Sequence, residues 1–419
     1  MHTLGVVKLG LVLLGLSFSS HSQASGAAPE PQRSESAHRS WPRHTIDATS
    51  RGADGVRVQD VNHDGLLDVV TGWEEGGVVR VYLHPGPAMV RHPWPAVTVG
   101  SVASPEDAVF ADLDGDGAAD VVSSCEGANR SVFVHWAPRH PAAYMDPHLW
   151  TTEAFPSVRG RAMWMFAVPI RAENRDRLDL AIGGKGQGAV IGLLRAPAKP
   201  REVSDWTFQP LHEVGWVMSL RCDDIDRDGD PDILASDRKG DGRGVFWLEN
   251  PRRAAALAAA QWPVHPIGAT GKEVMFLDLG DLDGDQRLDV VVAVKPRRVV
   301  LLRQPSDPRN AWTENTVELP EIVGTAKAVG LGDLDLDGKL DVVFSCEEAK
   351  GGKLGVVWFP SEVLLTGKTP PVHDISGPDG AKFDRLELID LDGDGDLDVL
   401  TTEEAEALGV IWYENAKRP

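Results

Sequence analysis

Beyond its first eighteen residues the 419-residue chain carries its apolar positions in short runs, such as Val69-Val70, Val121-Val122, Val290–Val292 and Val342-Val343, separated by Gly, Pro, Asp and Asn. β-Branched runs of that length between turn residues predict strands. Four such signals recur in a fixed order. A Trp-led polar–apolar alternation comes first (Trp41–Ile46, Trp150–Phe155, Trp206–Leu211, Trp262–Ile267, Trp312–Val317). A strand such as Asp107–Ala111 or Val274–Leu279 follows, then the β-branched strand, then a strand with an aromatic end at Val245–Trp247, Val356–Trp358 and Val410–Tyr413. Arg252–Ala260 is Ala-rich and predicts one or two helical turns inside a loop.

Between the second and third signals one nine-residue pattern stands six times: DVNHDGLLD from Asp60, DLDGDGAAD from Asp112, DIDRDGDPD from Asp224, DLDGDQRLD from Asp281, DLDLDGKLD from Asp333 and DLDGDGDLD from Asp390. A ruined seventh copy, RAENRDRLD, occupies Arg171–Asp179, and start-to-start spacings are 52, 59, 53, 57, 52 and 57 residues. Repeats of this length mean a stacked or circular array. Seven four-stranded units predict an all-β fold, a seven-bladed β-propeller, which leaves few strand edges exposed. Because the chain starts on a Trp-led outer strand and ends on an aromatic one, Trp41–Asp47 is expected to pair with Gly409–Asn415 and complete the last blade.

Oxygens at positions 1, 3, 5 and 9 of a tight loop suit a hard cation such as Ca²⁺, and Gly at position 6 permits the turn. The expected ligands are Asp60, Asn62, Asp64 and Asp68; Asp112, Asp114, Asp116 and Asp120; and Asp224, Asp226, Asp228 and Asp232. The second half supplies Asp281, Asp283, Asp285 and Asp289; Asp333, Asp335, Asp337 and Asp341; and Asp390, Asp392, Asp394 and Asp398. Four carboxylates in one turn repel one another without a cation, so up to six structural Ca²⁺ ions are expected. The loop at Asp281 has Gln286 in place of Gly and is the weakest candidate, while Arg171 and Arg175 disqualify the seventh. No Glu stands at position 12, where Thr71 and Ser123 fall, so these are not EF-hands.

These DxDxDGxxD loops between apolar strands, with Trp/Tyr-Glu-Asn-like endings, resemble the FG-GAP or VCBS repeat family, of which integrin α-subunit propellers are members. The resemblance covers about residues 41–415. It implies a seven-bladed propeller with Ca²⁺ held in hairpins between the first and second strands of a blade. The ending Trp-Leu-Glu-Asn-Pro (Trp247–Pro251) also resembles the propeller part of fungal aldos-2-ulose dehydratase.

Formal charge is −21, which argues against nucleic acid and anionic membrane partners. Much of that acidity is ligand charge within the loops. Lys8, the apolar Leu9–Phe18 and Ser22-Gln23-Ala24 read as a signal peptide over residues 1–24, followed by a flexible leader over 25–40 and the propeller over 41–419. A secreted or periplasmic protein with no membrane span is expected. Cys125, Cys222 and Cys346 are odd in number and read as buried free thiols.

If the acidic hairpins occupy one face, the opposite face is built from the turns at Trp73–Glu75, Cys125-Glu126, Gly184–Gly186, Asp237–Lys239, Lys295, Cys346–Glu348 and Thr402–Glu404. Its basic side chains fall in blades 3, 4 and 5 and its acids in 6, 7, 1 and 2, a dipole suited to a polar ligand with an anionic part. Trp73, Trp164 and Trp216 break the repeated Trp positions and are expected on this face, where they would stack on a sugar or grip a peptide side chain. Three residues before each loop, Arg57 and Glu387, and Arg221 and Asp278, are expected to form ion pairs between neighbouring blades. Two functions compete. In one, the propeller binds a glycan or cell-surface protein through this face. In the other it is a carbohydrate lyase or dehydratase, with Lys185, Arg238, Lys239 or Lys295 as cation and Glu74, Glu126 or Glu273 as proton acceptor. A deep pocket holding one of the three Trp among converging Lys and Glu would favour chemistry; a flat or plugged face would favour protein binding.

Overall fold

The computed structural model describes residues 40–172, 177–251 and 261–415. Over these the chain forms seven four-stranded antiparallel sheets, the blades of a seven-bladed β-propeller. The inner strands of blades 1 to 7 are Ala53–Gln59, Pro105–Ala111, Met163–Ile170, Val217–Asp223, Val274–Gly280, Thr325–Gly332 and Phe383–Ile389. Each packs against the inner strands of both neighbouring blades, blade 7 against blade 1 included. In the seventh sheet Arg43–Asp47 lies antiparallel beside Gly409–Tyr413, with Arg43 opposite Tyr413 and Thr45 opposite Ile411. Glu362–Thr366 is the sole α-helix among the described residues, and no helix there is long and apolar enough to cross a membrane. The expected signal peptide, most of the leader, Arg175 and the Ala-rich Arg252–Ala260 lie outside the described residues.

Second strands such as Asp68–Trp73, Asp120–Cys125 and Asp289–Val294 are buried on both faces, because each sheet is covered by the next blade. Between blades 4 and 5, for example, Leu234, Val245 and Trp247 pack with Val290, Val300, Leu302 and Trp312. Several of the Trp residues that lead an outer strand donate the ring N–H to a carbonyl upstream, as in Trp94 to Val90 at 2.9 Å and Trp312 to Pro308 at 2.9 Å. His44, His265 and His373, at one repeat position, lie against Trp412, Trp247 and Trp358 with ring centroids 4.5, 4.6 and 4.4 Å apart. Cys125 and Cys346 are buried free thiols, whereas Cys222 is half-buried.

The Asp at loop position 9 holds each hairpin in shape. Asp68 accepts the backbone N–H of Val61 at 3.0 Å and of His84 at 2.8 Å, joining its own loop to the end of the third strand. Asp232 does the same with Ile225 (3.0 Å) and Asn250 (2.8 Å), and Asp398 with Leu391 (2.9 Å) and Asn415 (2.9 Å). The residue so anchored then reaches sideways to position 2 of the preceding blade's loop. Asn250 Nδ2 donates to the Ala172 carbonyl at 3.1 Å, Gln304 Nε2 to Ile225 at 3.0 Å and Asn415 Nδ2 to Leu334 at 2.8 Å, while His84 Nε2 meets the Leu391 carbonyl at 2.9 Å. In blade 3, where Arg replaces the acid at loop positions 1 and 5, Asp179 still accepts from Ala196 at 2.8 Å.

At the opposite end, every inner strand carries a β-bulge where its pairing register shifts, for instance between Pro105 and Asp107, Trp164 and Phe166, Val217 and Ser219, and Ala326 and Ala328. An extra residue there bends the strand and turns a side chain towards the axis. Neighbouring hydroxyls collect carbonyls at the bulge: Ser236 donates to Met275 at 2.8 Å and Ser345 to Asp384 at 2.7 Å.

Of the two expected inter-blade ion pairs, Arg221 does meet Asp278. Arg57 does not pair with Glu387. It makes a two-pronged bond to Asp107 at 2.9 and 3.0 Å, and Glu387 accepts from Arg385 at 3.1 Å. Each Asp107 oxygen accepts one prong of the guanidinium, while one oxygen of Glu387 is taken by Arg385.

Two outcomes follow from the loops. Asp179→Ala, which cannot act through a metal, should cost about 1–3 kcal/mol in urea unfolding by orphaning a buried N–H. Gln286 holds position 6 at φ 67°, where the equivalent Gly65 has φ 87°, so Gln286→Gly should stabilise by up to about 1 kcal/mol in the same assay.

Candidate functional site

The bulges surround a central cavity of about 290 Å³ on the face opposite the acidic loops. Its lining is not symmetrical. At the bulge position blades 7, 1, 2 and 6 place Asp384, Asp54, Glu106 and Lys327, whereas blades 3 and 4 place Met165 and Met218. Phe166, Phe276 and Trp216 extend the apolar side, the two Phe rings meeting edge to face at 5.9 Å. One wall is therefore charged and the other aromatic and thioether. Phe276 and Arg385 also line a second cavity of about 300 Å³ that contains Arg221, Asp278 and Glu387.

Charges on the polar wall are buried in pairs. Lys327 lies 2.6 Å from Asp384, with side chains 11 % and 2 % exposed. Burial opposes ionisation of Asp384, yet the Lys327 ammonium holds it at about 2; the same contact, with Asp54, raises Lys327. Asp54 is pushed well up by burial and by the neighbouring Asp384 and Glu106 carboxylates. Lys185 bridges blade 3 to blade 2, 3.2 Å from Glu106 and in contact with Glu126. Burial pushes Glu106 up to about 8 despite Lys185, while Glu126, though also penalised by burial, is lowered through its hydrogen bonds to Glu106 and Lys185. Burial and then Asp384 bring Glu404 up to about 7. A carboxyl that keeps its proton at neutral pH beside a carboxylate and an ammonium can exchange that proton with a ligand.

Of the residues expected on this face, Glu74, Glu126, Lys185, Trp216 and Arg238 line the cavity. Trp216 carries Lys185 and Arg238 over its ring at 4.8 and 4.5 Å. Glu273 and Lys239 stand behind, Glu273 binding Arg238 at 2.6 Å and Lys239 at 3.2 Å, and Lys295 is paired with the lining residue Glu347. Trp73 and Trp164, expected on this face, do not line the cavity: both are fully buried. Trp73 donates to the Tyr82 hydroxyl at 2.9 Å, and Trp164 donates to the Val158 carbonyl at 3.1 Å and packs on Phe208. The expected lateral dipole is likewise neutralised, since the basic groups of blades 3, 4 and 5 are engaged by Glu106, Glu126, Glu273 and Glu347.

Sequence reasoning missed Asp54, Glu106, Lys327, Asp384 and Arg385. Their signal was present: a charged residue six positions before the acidic loop, or five for Arg385, where other repeats have Met or Phe. Alternation counted back from the loop misassigns their side, because the bulge shifts parity by one.

In the acidic loops the first carboxylate accepts backbone N–H groups from positions 5 and 6, Asp60 from Asp64 (3.1 Å) and Gly65 (3.0 Å), which folds the loop around its acids. Oxygens of Asp112, Asp114 and Asp120, of Asp224, Asp226 and Asp232, and of Asp281, Asp283 and Asp285 come within 4.8 Å of one another. Such all-oxygen sets fit a hard divalent cation. Burial raises the position-9 carboxyls, Asp68 to about 6 and Asp120 to about 8. Arginines from the next blade lean on position 3: Arg91 on Asp392 at 2.5 Å, Arg201 on Asp114 and Arg309 on Asp226. Arg91 and Arg309 also grip Glu414 and Glu249 of the Trp-x-Glu-Asn endings, at 2.9 and 2.6 Å.

The fold is that of a seven-bladed propeller, and two of its regions, residues 60–123 and 281–344, match the family model described as FG-GAP-like repeat. Among individual proteins, a stretch of 233 residues, half of this chain, is 23 % identical to aldos-2-ulose dehydratase of Phanerodontia chrysosporium, and the match spans a quarter of that enzyme's length. The crystal structure of BBS1N in complex with ARL6DN, soaked with mercury, aligns at a TM-score of 0.52 with 11 % identity, over 90 % of this chain and 97 % of that one. At that identity the likeness concerns the fold alone.

Glu106 generates a pH signature. Its folded pKa of about 8 exceeds the ordinary 4.5, so the native state retains a proton that the unfolded chain has released, and stability falls as pH rises between those values. Glu106→Gln should flatten that decline between about pH 5 and 8 in urea titrations at saturating calcium.

Proposed function

We propose that this protein is a secreted, calcium-stapled β-propeller that binds a saccharide in its central cavity, on the face opposite the acidic loops. The observation that carries this reading is the division of the cavity into an aromatic and thioether wall and a wall of carboxylates and ammoniums. A pyranose is divided in the same way: its C–H faces pack on aromatic surface and its hydroxyls take hydrogen bonds from charged groups. A cavity of about 290 Å³ suits one sugar ring or a glycan end, whereas a stable protein partner would require roughly 800 Å² of surface on each side. For calcium, the support is the oxygen-only donor sets of six loops and the expectation that their carboxylates repel when empty.

One observation favours a second reading, elimination on a sugar. Glu106 is poised near neutral pH beside Lys185, which supplies a proton-transfer group and a cation to stabilise an enolate. The dehydratase activity named for the curated relative agrees with this reading.

Three results are expected. Chelation should lower the melting temperature by about 10 °C or more, and Asp114→Asn with Asp116→Asn should reduce calcium stoichiometry from six to five in equilibrium dialysis. A panel of monosaccharides and uronic-acid polysaccharides should contain at least one that binds by calorimetry and loses binding in Trp216→Ala; silence across the panel would remove the saccharide reading. Unsaturated product absorbing near the ultraviolet edge, lost in Glu106→Gln, would establish elimination over simple binding.

A further inference from the structure

We infer that the second cavity, of about 300 Å³, is an oxyanion site and that the sugar of the central cavity is a uronate. The ring lies in the central cavity and the carboxylate reaches Arg385; this rests on the saccharide reading above. The two cavities meet at a common wall formed by Phe276 and Arg385. Arg221 of blade 4 and Arg385 of blade 7 both line the second cavity, and each guanidinium is only partly engaged. Arg385 commits Nε to Glu387 at 3.1 Å, and Arg221 commits Nη1 to Asp278. Arg385 Nη1 and Nη2, and Arg221 Nε and Nη2, have no acceptor among the described residues.

The acids beside these guanidiniums are already committed. Both oxygens of Asp107 are taken by Arg57, and those of Asp278 by Arg221 and the Leu331 N–H at 2.9 Å. Asp384 gives one oxygen to Lys327 and the other to the Arg385 backbone N–H at 2.6 Å. Of these four carboxylates Glu387 alone keeps a disengaged oxygen, Oε2, among the described residues. Donors therefore outnumber acceptors at this point of the axis. A guanidinium holds its donors in a planar fork, and empty prongs call for a ligand that brings two oxygens in one plane. Crowding of like charge acts in the same sense: burial lowers the Arg385 pKa, and so do Arg57 and Arg221, against Glu387 and Asp107. A carboxylate in the cavity that Arg221 and Arg385 share would relieve that crowding. On the other side of the wall Met165, Phe166 and Met218 offer a surface for the C–H face of the ring. The carboxylates Asp384, Glu126 and Asp107 are paired there with Lys327, Lys185 and Arg57, while burial shifts Asp54 and Glu106 towards the neutral form, so an incoming anion meets little uncompensated negative charge.

The test is calorimetry on the calcium-saturated full chain with glucuronate, glucose and acetate. Glucuronate should bind about tenfold or more tightly than glucose. Arg385→Gln combined with Glu387→Gln removes the free prongs at constant net charge. Verified as folded by its melting transition, that variant should bring glucuronate down to the affinity that the unaltered chain has for glucose. Arg221→Gln combined with Asp278→Asn, checked in the same way, should weaken glucuronate in the same direction and serves if the first variant does not fold. Equal affinity for the two sugars, or glucuronate binding that survives both variants, overturns the oxyanion inference and leaves the saccharide reading intact. Acetate binding that vanishes in the variants, with no sugar binding, supports the oxyanion site and removes the saccharide. Silence towards all three removes both.

Discussion

A buried carboxylate that gathers backbone N–H groups from two places is the contact on which this propeller depends. The Asp closing each acidic loop ties the hairpin to its own third strand, as Asp232 does between Ile225 and Asn250. The anchored residue then reaches across to the loop of the preceding blade, as Asn250 does to Ala172. Register within a blade and spacing between blades are thereby set by one side chain and its neighbour. Asp179 keeps its bond to Ala196 in a blade whose loop has Arg in place of the acids at positions 1 and 5, so the hydrogen-bonded staple does not require the full set of acids. An ion would act on a loop already folded around its oxygens, relieving repulsion rather than creating the turn.

The opposite end of the inner strands is organised by a different defect. Each β-bulge frees one residue from pairing and directs it to the axis, and the fold places no demand on what that residue is. Met165 and Met218 make half of the ring apolar; Asp54, Glu106, Lys327 and Asp384 make the other half charged. A sevenfold scaffold thus carries a site with no symmetry. Burying so many charges is tolerable because they are matched, Lys327 with Asp384 and Lys185 with Glu106 and Glu126, and because burial shifts Asp54 and Glu106 towards the neutral form.

The legible features were those that repeat. The acidic loops, the Trp ahead of most outer strands and the His against the Trp of blades 4, 6 and 7 recur at fixed spacing, and the architecture follows from that spacing. Residues that break a repeat were harder to read. Trp73 and Trp164 interrupt the Trp pattern and suggested an exposed surface, but Tyr82 and Phe208 stand opposite them and close the inter-blade core around them. Arg57 had two carboxylates within reach, and only the approach of neighbouring inner strands made Asp107 the partner rather than Glu387.

By itself the sequence determined the number of blades, the strand order within them and the face that carries the acidic loops, because each is written in a local period of side chains. The tertiary structure alone decided which charges meet at the axis, which of them stay protonated and which tryptophan of the three lines the cavity. Those outcomes depend on distances between strands some fifty residues apart and on a one-residue shift of parity at every bulge, and neither quantity leaves a local trace in the order of amino acids.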